Sequence, residues 1–220
     1  MKKCWLKNML TVQTIKEINS PINGLIKVML VFNRPRLTIG GMLQSGGLVM
    51  KIWEKAIKKL FNQGQAIDRA LIIGLGCGNC TVAINKYYPK AQLLGVEIDK
   101  EVVDIAECYF NLAANKNLTV AIDDGLKYAE KLVCKKEPPK FDLVIVDVYV
   151  GYKIPKRFKT KKFFLTLSKL LTDRGVVVFN HLFFKQYKQE AEKLIKEMEQ
   201  IFKKISLQRT ASNLLIFSRH

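Results

Sequence analysis

The stretch Ala70-Leu-Ile-Ile-Gly74-Leu-Gly76-Cys-Gly78-Asn-Cys-Thr81 limits the fold more than any other part of the chain. A short β-branched apolar run enters three alternating glycines, and a helical pattern follows. Glycine is needed where the backbone turns tightly or where a ligand approaches with no room for a Cβ. Strand, glycine loop and helix in succession predict the first unit of a parallel α/β sheet, with a ligand crevice at the strand's carboxyl end.

The rhythm downstream agrees. Apolar runs at Ala70–Ile73, Leu93–Ile98, Leu118–Ile122, Phe141–Val148 and Val176–Phe179 alternate with helical stretches such as Lys100–Ala114 and Phe163–Leu171. Continuous apolar strands separated by helices mark a sheet buried on both faces. Gln186–Lys204 reads as an amphipathic helix, and Lys204–Gln208 with Leu214–Ser218 as a closing hairpin.

The first part of the chain reads differently. Thr11–Ile18 alternates, Ser20-Pro21-Ile22-Asn23-Gly24 supplies turn chemistry, and Leu25–Phe32 is apolar. Asn33-Arg34-Pro35 is expected to break the chain, and Arg36–Leu43 to resume it as a strand. Residues 1–47 are therefore expected to form a small antiparallel β unit, and residues 48–220 a larger catalytic domain that opens on a helix over Leu48–Phe61.

Three strand ends point to one crevice. Glu97 ends the second strand, 19 residues after Gly78, where a carboxylate can accept from both ribose hydroxyls of a nucleoside. Asp123-Asp124-Gly125 closes the third strand, placing Asp124 where it could accept from an adenine amino group. Gly74, Gly76 and Gly78 would cradle the ligand. The last glycine falls one residue early for the dinucleotide fingerprint, which argues against NAD. The spacing resembles motif I of the class I S-adenosylmethionine-dependent methyltransferase fold, a Rossmann-like sheet that ends in an antiparallel hairpin.

Over nearly the whole length the sequence resembles the spermidine synthase (polyamine aminopropyltransferase) family, a relative of those methyltransferases. The residues that carry the resemblance are Gly24-Leu-Ile, Arg36-Leu-Thr-Ile-Gly-Gly-Met-Leu-Gln44-Ser, Gly95-Val-Glu97-Ile-Asp99, Asp123-Asp124-Gly125-Leu-Lys-Tyr128 and Phe141-Asp-Leu-Val-Ile-Val-Asp147. It implies that Gln44, Glu97, Asp124 and Asp147 contact the nucleoside or the reacting amine. It also implies a homodimer, and S-adenosylmethionine or its decarboxylated form as co-substrate, with no metal.

The departures from the family pattern bear on the reaction. Cys77 stands where the family's glycine loop carries an aspartate for the donor's aminopropyl nitrogen. Asp147-Val-Tyr-Val150 lacks the second acid of the usual Asp-Ser-x-Asp-Pro, and Trp53 replaces the acceptor-side tyrosine. Each lost buried charge contact costs recognition of a polyamine roughly 2–5 kcal/mol. The expectation is thus a transferase that favours methyl over aminopropyl transfer, with aminopropyl transfer to an atypical acceptor as the alternative. A catalytically inactive nucleoside- or polyanion-binding module is the third reading.

A sulfonium donor brings its own leaving group, so alignment supplies much of the catalysis, roughly 7–11 kcal/mol at best. One base then suffices, and Asp147, ending a buried strand beside the glycine loop, is the candidate. Trp53, Tyr149, Tyr152 and Asn180 are candidates for the acceptor side. His181 is a weaker candidate base, and the Cys77–Cys80 pair reads as small residues in a tight loop rather than a redox centre.

Net charge is +18, from 37 Lys+Arg against 19 Asp+Glu. Such a field disfavours polycations and favours anions. With 30 of those cations lysine, lysine-rich background composition explains part of it. The run Lys153-Ile-Pro-Lys-Arg-Phe-Lys-Thr-Lys-Lys162 holds six cations in ten residues and is expected to border the acceptor entrance. It leaves room for an anionic small-molecule acceptor or a nucleic-acid contact. Met1–Leu10 lacks the apolar core of a signal peptide, no apolar run is long enough to span a bilayer, and the five cysteines are scattered. These features lead to the expectation of a cytoplasmic protein without membrane association.

Overall fold

The computed structural model describes residues 12–185, 187–210 and 212–220, so the start Met1–Leu10 lies outside the described residues. Two sheets organise the chain. The first holds β1 (Val12–Ser20), β2 (Gly24–Val31), β3 (Arg34–Ile39) and β4 (Met42–Ser45), all antiparallel and in sequence order. The chain does not break at Asn33-Arg34-Pro35. The β2–β3 turn is the residue pair Phe32-Asn33, with φ of 51° and 57°, the paired left-handed geometry of a tight hairpin. Arg34 and Pro35 already belong to β3. Pro35 is tolerated because β4 pairs only with Leu37–Ile39, leaving no ladder bond there for Pro35 to miss. The expected single strand over Arg36–Leu43 is likewise split, by a turn at Gly40-Gly41.

The second sheet has strand order β10-β11-β9-β8-β5-β6-β7. Its strands are β5 (Arg69–Ile73), β6 (Gln92–Glu97), β7 (Leu118–Ile122), β8 (Phe141–Val146), β9 (Leu171–Leu182), β10 (Lys204–Arg209) and β11 (Asn213–Arg219). From β7 to β9 the pairing is parallel; β11 joins β9 antiparallel and pairs with β10. This is the Rossmann-like order expected from the glycine loop and the strand–helix rhythm. β9 begins directly after its preceding helix, five residues earlier than the apolar run indicated.

Alternation along the central strands explains their all-apolar text. Ile72, Leu143, Ile145, Val176 and Val178 enter a core with α1 (Gly47–Asn62), α2 (Asn79–Tyr87) and α3 (Lys100–Tyr109). Their neighbours Leu71, Ile73, Val144, Val146 and Val177 enter another with α4 (Gly125–Val133), α5 (Lys161–Leu170) and α6 (Tyr187–Glu199). Both faces are covered, so these positions carry apolar side chains. Among the described residues, no helix is long and apolar enough to cross a membrane.

The small sheet is not a separate body. Ile26, Val28, Leu37 and Ile39 from its inner face enter the same core as α1–α3. A polar latch adds to this burial. Asp99, buried at the N-cap of α3, accepts from the Glu101 backbone N–H at 3.0 Å, from the Ser20 hydroxyl, and from Asn23 Nδ2 at 2.7 Å. Ser20 Oγ in turn accepts from the backbone N–H groups of Ile22 and Asn23 at 3.0 and 3.1 Å. One carboxylate thus starts a helix and pins the β1–β2 turn over the large sheet. Asp99→Ala removes an N-cap and strands buried donors, so it should lower unfolding free energy by about 2–4 kcal/mol. Urea denaturation checks this, and a loss below about 0.5 kcal/mol would show the latch to be incidental.

Candidate functional site

The crevice opens at the carboxyl ends of β5, β6 and β8, where the chain reverses its direction of growth across the sheet, as is usual for ligand sites in open α/β sheets. A cleft of about 970 Å³, open mouth included, lies there. Its floor is the glycine loop. At Gly74 a Cβ would collide with the Asp147 carbonyl oxygen, so the loop can approach the end of β8 only without a side chain. Gly76 has φ +54° and open space where a Cβ would stand, which leaves backbone exposed to a ligand. Gly78 corrects the expectation of three cradling glycines. It lies off the cleft wall, and the missing Cβ makes room for the side chain of Leu112.

Glu97 lines the cleft and is oriented entirely by backbone. Oε2 accepts from Gly76 N–H at 2.9 Å, and Oε1 from Ile98 and Asp99 N–H at 2.9 and 3.2 Å. Burial pushes its carboxyl up from the ordinary value, and these three donors oppose that shift. A carboxylate has about four acceptor sites, so one remains for a ligand hydroxyl. Asn23 and Ile22 of the latched β1–β2 turn complete this wall.

Asp124 departs from its expected place. It is not among the residues lining the cleft. Its Oδ1 caps α4 by accepting from Leu126 and Lys127 N–H at 3.0 and 3.1 Å, and its Oδ2 pairs with Arg157 at 2.6 Å. The group that reaches the cleft at that edge is Arg157, with Pro155 and Phe158. The basic run therefore borders the first cleft. Three of its six cations are paired: Arg157 with Asp124, Lys159 with Glu190 at 3.1 Å and Lys162 with Glu130 at 2.7 Å.

A second cavity, about 830 Å³ with its mouth, adjoins the first. Gln44, Trp53, Asp147 and Tyr149 line both. Asp147 thus stands on the shared wall, with its carboxylate held from two sides: Asn180 Nδ2 donates to Oδ1 at 2.8 Å and Trp53 Nε1 to Oδ2 at 3.2 Å. Burial raises its pKa to about 6, against these two hydrogen bonds and with help from the nearby Glu97 charge. An acid so placed is ionised at neutral pH yet basic enough to take a proton.

Asn180 and Tyr149 are brought to the site as expected, and Tyr152 lines the outer, exposed part of the second cavity. Trp53 is a correction in kind. It is fully buried, so its indole serves to hold Asp147 rather than to present a free polar tip to substrate. His181 is set aside: it lies off both cavity walls, and its Nδ1 meets the Leu182 carbonyl at 2.6 Å. Burial lowers its pKa, keeping the ring neutral. Cys77 and Cys80 are free, buried and on the first cleft's wall, and burial pushes both thiols up, the opposite of an activated thiolate.

Some functional positions carried no readable signal. Asn213 Nδ2 donates to Asn180 Oδ1 at 2.9 Å, extending the support of Asp147 from β9 to β11. Asp99, Asn23 and Asn213 act through partners more than thirty residues away in sequence. The lining of the second cavity includes no lysine or arginine among the described residues.

With the fold and site in hand, comparison with known proteins gives the class first. A spermidine synthase from Thermotoga maritima superposes with a TM-score of 0.77 at 15% identity, over 94% of this chain and 72% of that one. Human methyltransferase-like protein 13, solved in complex with SAH, gives 0.65 at 21% identity, over 79% and 82%. Both share this chain's Rossmann-like fold.

The family follows from sequence. Residues 59–215 match the model of the spermine/spermidine synthase domain, and the chain belongs to that family. A polyamine aminopropyltransferase of Vibrio vulnificus is 35% identical over 113 residues, 51% of this chain and 37% of that protein. An eEF1A lysine and N-terminal methyltransferase homolog of Drosophila pseudoobscura pseudoobscura is 28% identical over 162 residues, 70% of this chain and 24% of that protein. The chain therefore spans well under half the length of these relatives.

The raised Asp147 pKa has a consequence for stability. The ordinary value is 3.8 and the folded value about 6, so between these pH values the folded state holds the extra proton. The ionised form therefore costs stability, fully above pH 6, and the cost vanishes below pH 4. By linkage the cost is about 3 kcal/mol. Asp147→Asn does not titrate, so its stability relative to the parent protein should rise between pH 4.5 and pH 7.5. Parallel urea curves at the two pH values measure this; a difference that falls with pH would contradict the burial of a lone charge.

Proposed function

We propose that the protein is an S-adenosylmethionine-dependent transferase that moves the donor's methyl group to an amine, with Asp147 as the base. The observation that carries this reading is the wall shared by two cavities, with a proton-accepting carboxylate on it. Two chambers meeting at one base suit a transfer between two bound molecules. The donor's sulfonium, when bound, supplies an activated carbon and a neutral leaving group. Glu97 is suited to a ribose hydroxyl, and the exposed backbone at Gly76 to close approach of the nucleoside. The human neighbour's complex with SAH supports this assignment of the first cleft.

The donor's tail discriminates the methyl donor from its decarboxylated form. Among the described residues, the acids that line the first cleft are Glu97 and Asp147. Around the N-terminus of α2, Cys77 and Asn79 are neutral, and the first turn carries no acid. A free helix N-terminus attracts a carboxylate and repels a lone ammonium. This supports a donor that retains its carboxylate. The Drosophila relative, named for lysine and N-terminal methylation, supports an amine acceptor. Aminopropyl transfer is the second reading, favoured by the family match and the Vibrio relative.

Calorimetry separates the two. S-adenosylmethionine should bind at least about tenfold tighter than decarboxylated S-adenosylmethionine, and Cys77→Asp should narrow or invert that ratio. Tighter binding of the decarboxylated donor by the unsubstituted protein would sink methyl transfer in favour of aminopropyl transfer. For the base, Asp147→Asn should reduce kcat by about 10²–10⁴ with donor affinity little changed. The parent protein's kcat/KM should fall about tenfold per pH unit below pH 6, following protonation of Asp147. A flat profile from pH 5 to 8 would exclude Asp147 as the base.

A further inference from the structure

The second cavity carries a narrower statement about the acceptor, resting on the transferase reading above. We infer that it takes a small primary monoamine with an apolar, uncharged body. Asp147 is the only ionised side chain among the described residues that line it. A diamine would place its second ammonium against Val49, Ile52, Leu182 or Phe184, where the lining provides no counter-charge. An anion would find no cation, and the Asp147 charge would repel it.

The polar lining is also largely used up. Asn180 donates to Asp147 and accepts from Asn213; Asn213 Oδ1 accepts from Ser212 at 2.6 Å; Tyr149 Oη donates to the Asn180 carbonyl at 3.0 Å. These groups hold Asp147 in place and offer few free hydrogen-bonding positions to a ligand's body. Gln44 and Tyr152 are the lining side chains with polar tips outside this network. The enclosed part of the cavity measures about 250 Å³, so the acceptor body it can take is small.

The chemistry balances with these residues alone. The acceptor's ammonium gives a proton to Asp147. Its nitrogen lone pair then forms the N–C bond to the donor's methyl carbon as the C–S bond breaks. The bonding pair stays on sulfur, which becomes a neutral thioether, and Asp147 later returns the proton to water.

The test is a pair of titrations with ligands of one chain length, n-hexylamine and 1,6-diaminohexane, followed by calorimetry at pH 7.5. Each is run with and without added S-adenosylhomocysteine. Hexylamine should bind about tenfold or more tightly than the diamine in both conditions. Val49 occupies the first turn of α1 and lines the cavity. Val49→Glu therefore adds an acid where a helix start tolerates one. It should shift the hexylamine-to-diamine affinity ratio about tenfold or more toward the diamine. Diamine binding equal to or tighter than hexylamine in the unsubstituted protein would overturn the inference. So would displacement of hexylamine by a short peptide with a free N-terminus. If S-adenosylhomocysteine gives no heat, the donor assignment falls, while the amine ratio without it still decides the acceptor class.

Discussion

A carboxylate taken out of water resists ionisation, and one left in water is too weak a base for an amine. Asp147 sits between these limits, and much of the architecture follows from keeping it there. β8 stops at Val146, and the loop turns Asp147 into the wall between the two cavities. Trp53 from α1 and Asn180 from β9 each donate one hydrogen bond, and Asn213 from β11 fixes the orientation of Asn180. The antiparallel closing strands, remote in sequence from the glycine loop, are thus part of the site.

The small N-terminal sheet has a comparable place. Its apolar face shares a core with α1–α3, and Asp99 ties its first turn over the Glu97 side of the crevice. Glu97 and Asp99, two residues apart, thereby divide the work. Glu97 faces the cleft with its carboxylate fixed by backbone, while Asp99 faces the latch. The glycine loop divides as well. Gly74 and Gly76 face the ligand space, and Gly78 serves packing under Leu112.

What could be read from the sequence was what short-range pattern encodes. Strand runs dominated by apolar residues announced a sheet covered on both faces, and Gly74 to Gly78 followed by Glu97 marked the crevice. The hairpin at Phe32-Asn33 was misplaced because left-handed backbone at a phenylalanine has no compositional sign, whereas Pro35 looks like a breaker but sits where β4 no longer pairs. Asp124 was assigned to the ligand because its spacing fits; its capping of α4 is local, whereas its pairing with Arg157 depends on a segment thirty-three residues away. The partners of the basic run were out of reach for a related reason: Arg157, Lys159 and Lys162 pair with Asp124, Glu190 and Glu130, each on another element. Asn213 could not have been singled out, since only the register of β11 against β9 brings it to Asn180.

The account depends on two chambers meeting at Asp147 with a nucleoside donor in the first. A crystal structure grown with S-adenosylhomocysteine tests this most directly. It should show the ribose on Glu97, the amino-acid carboxylate at the start of α2, and the sulfur facing the wall formed by Gln44, Trp53, Asp147 and Tyr149. A ligand seated elsewhere, or with its sulfur turned away from that wall, would contradict the account.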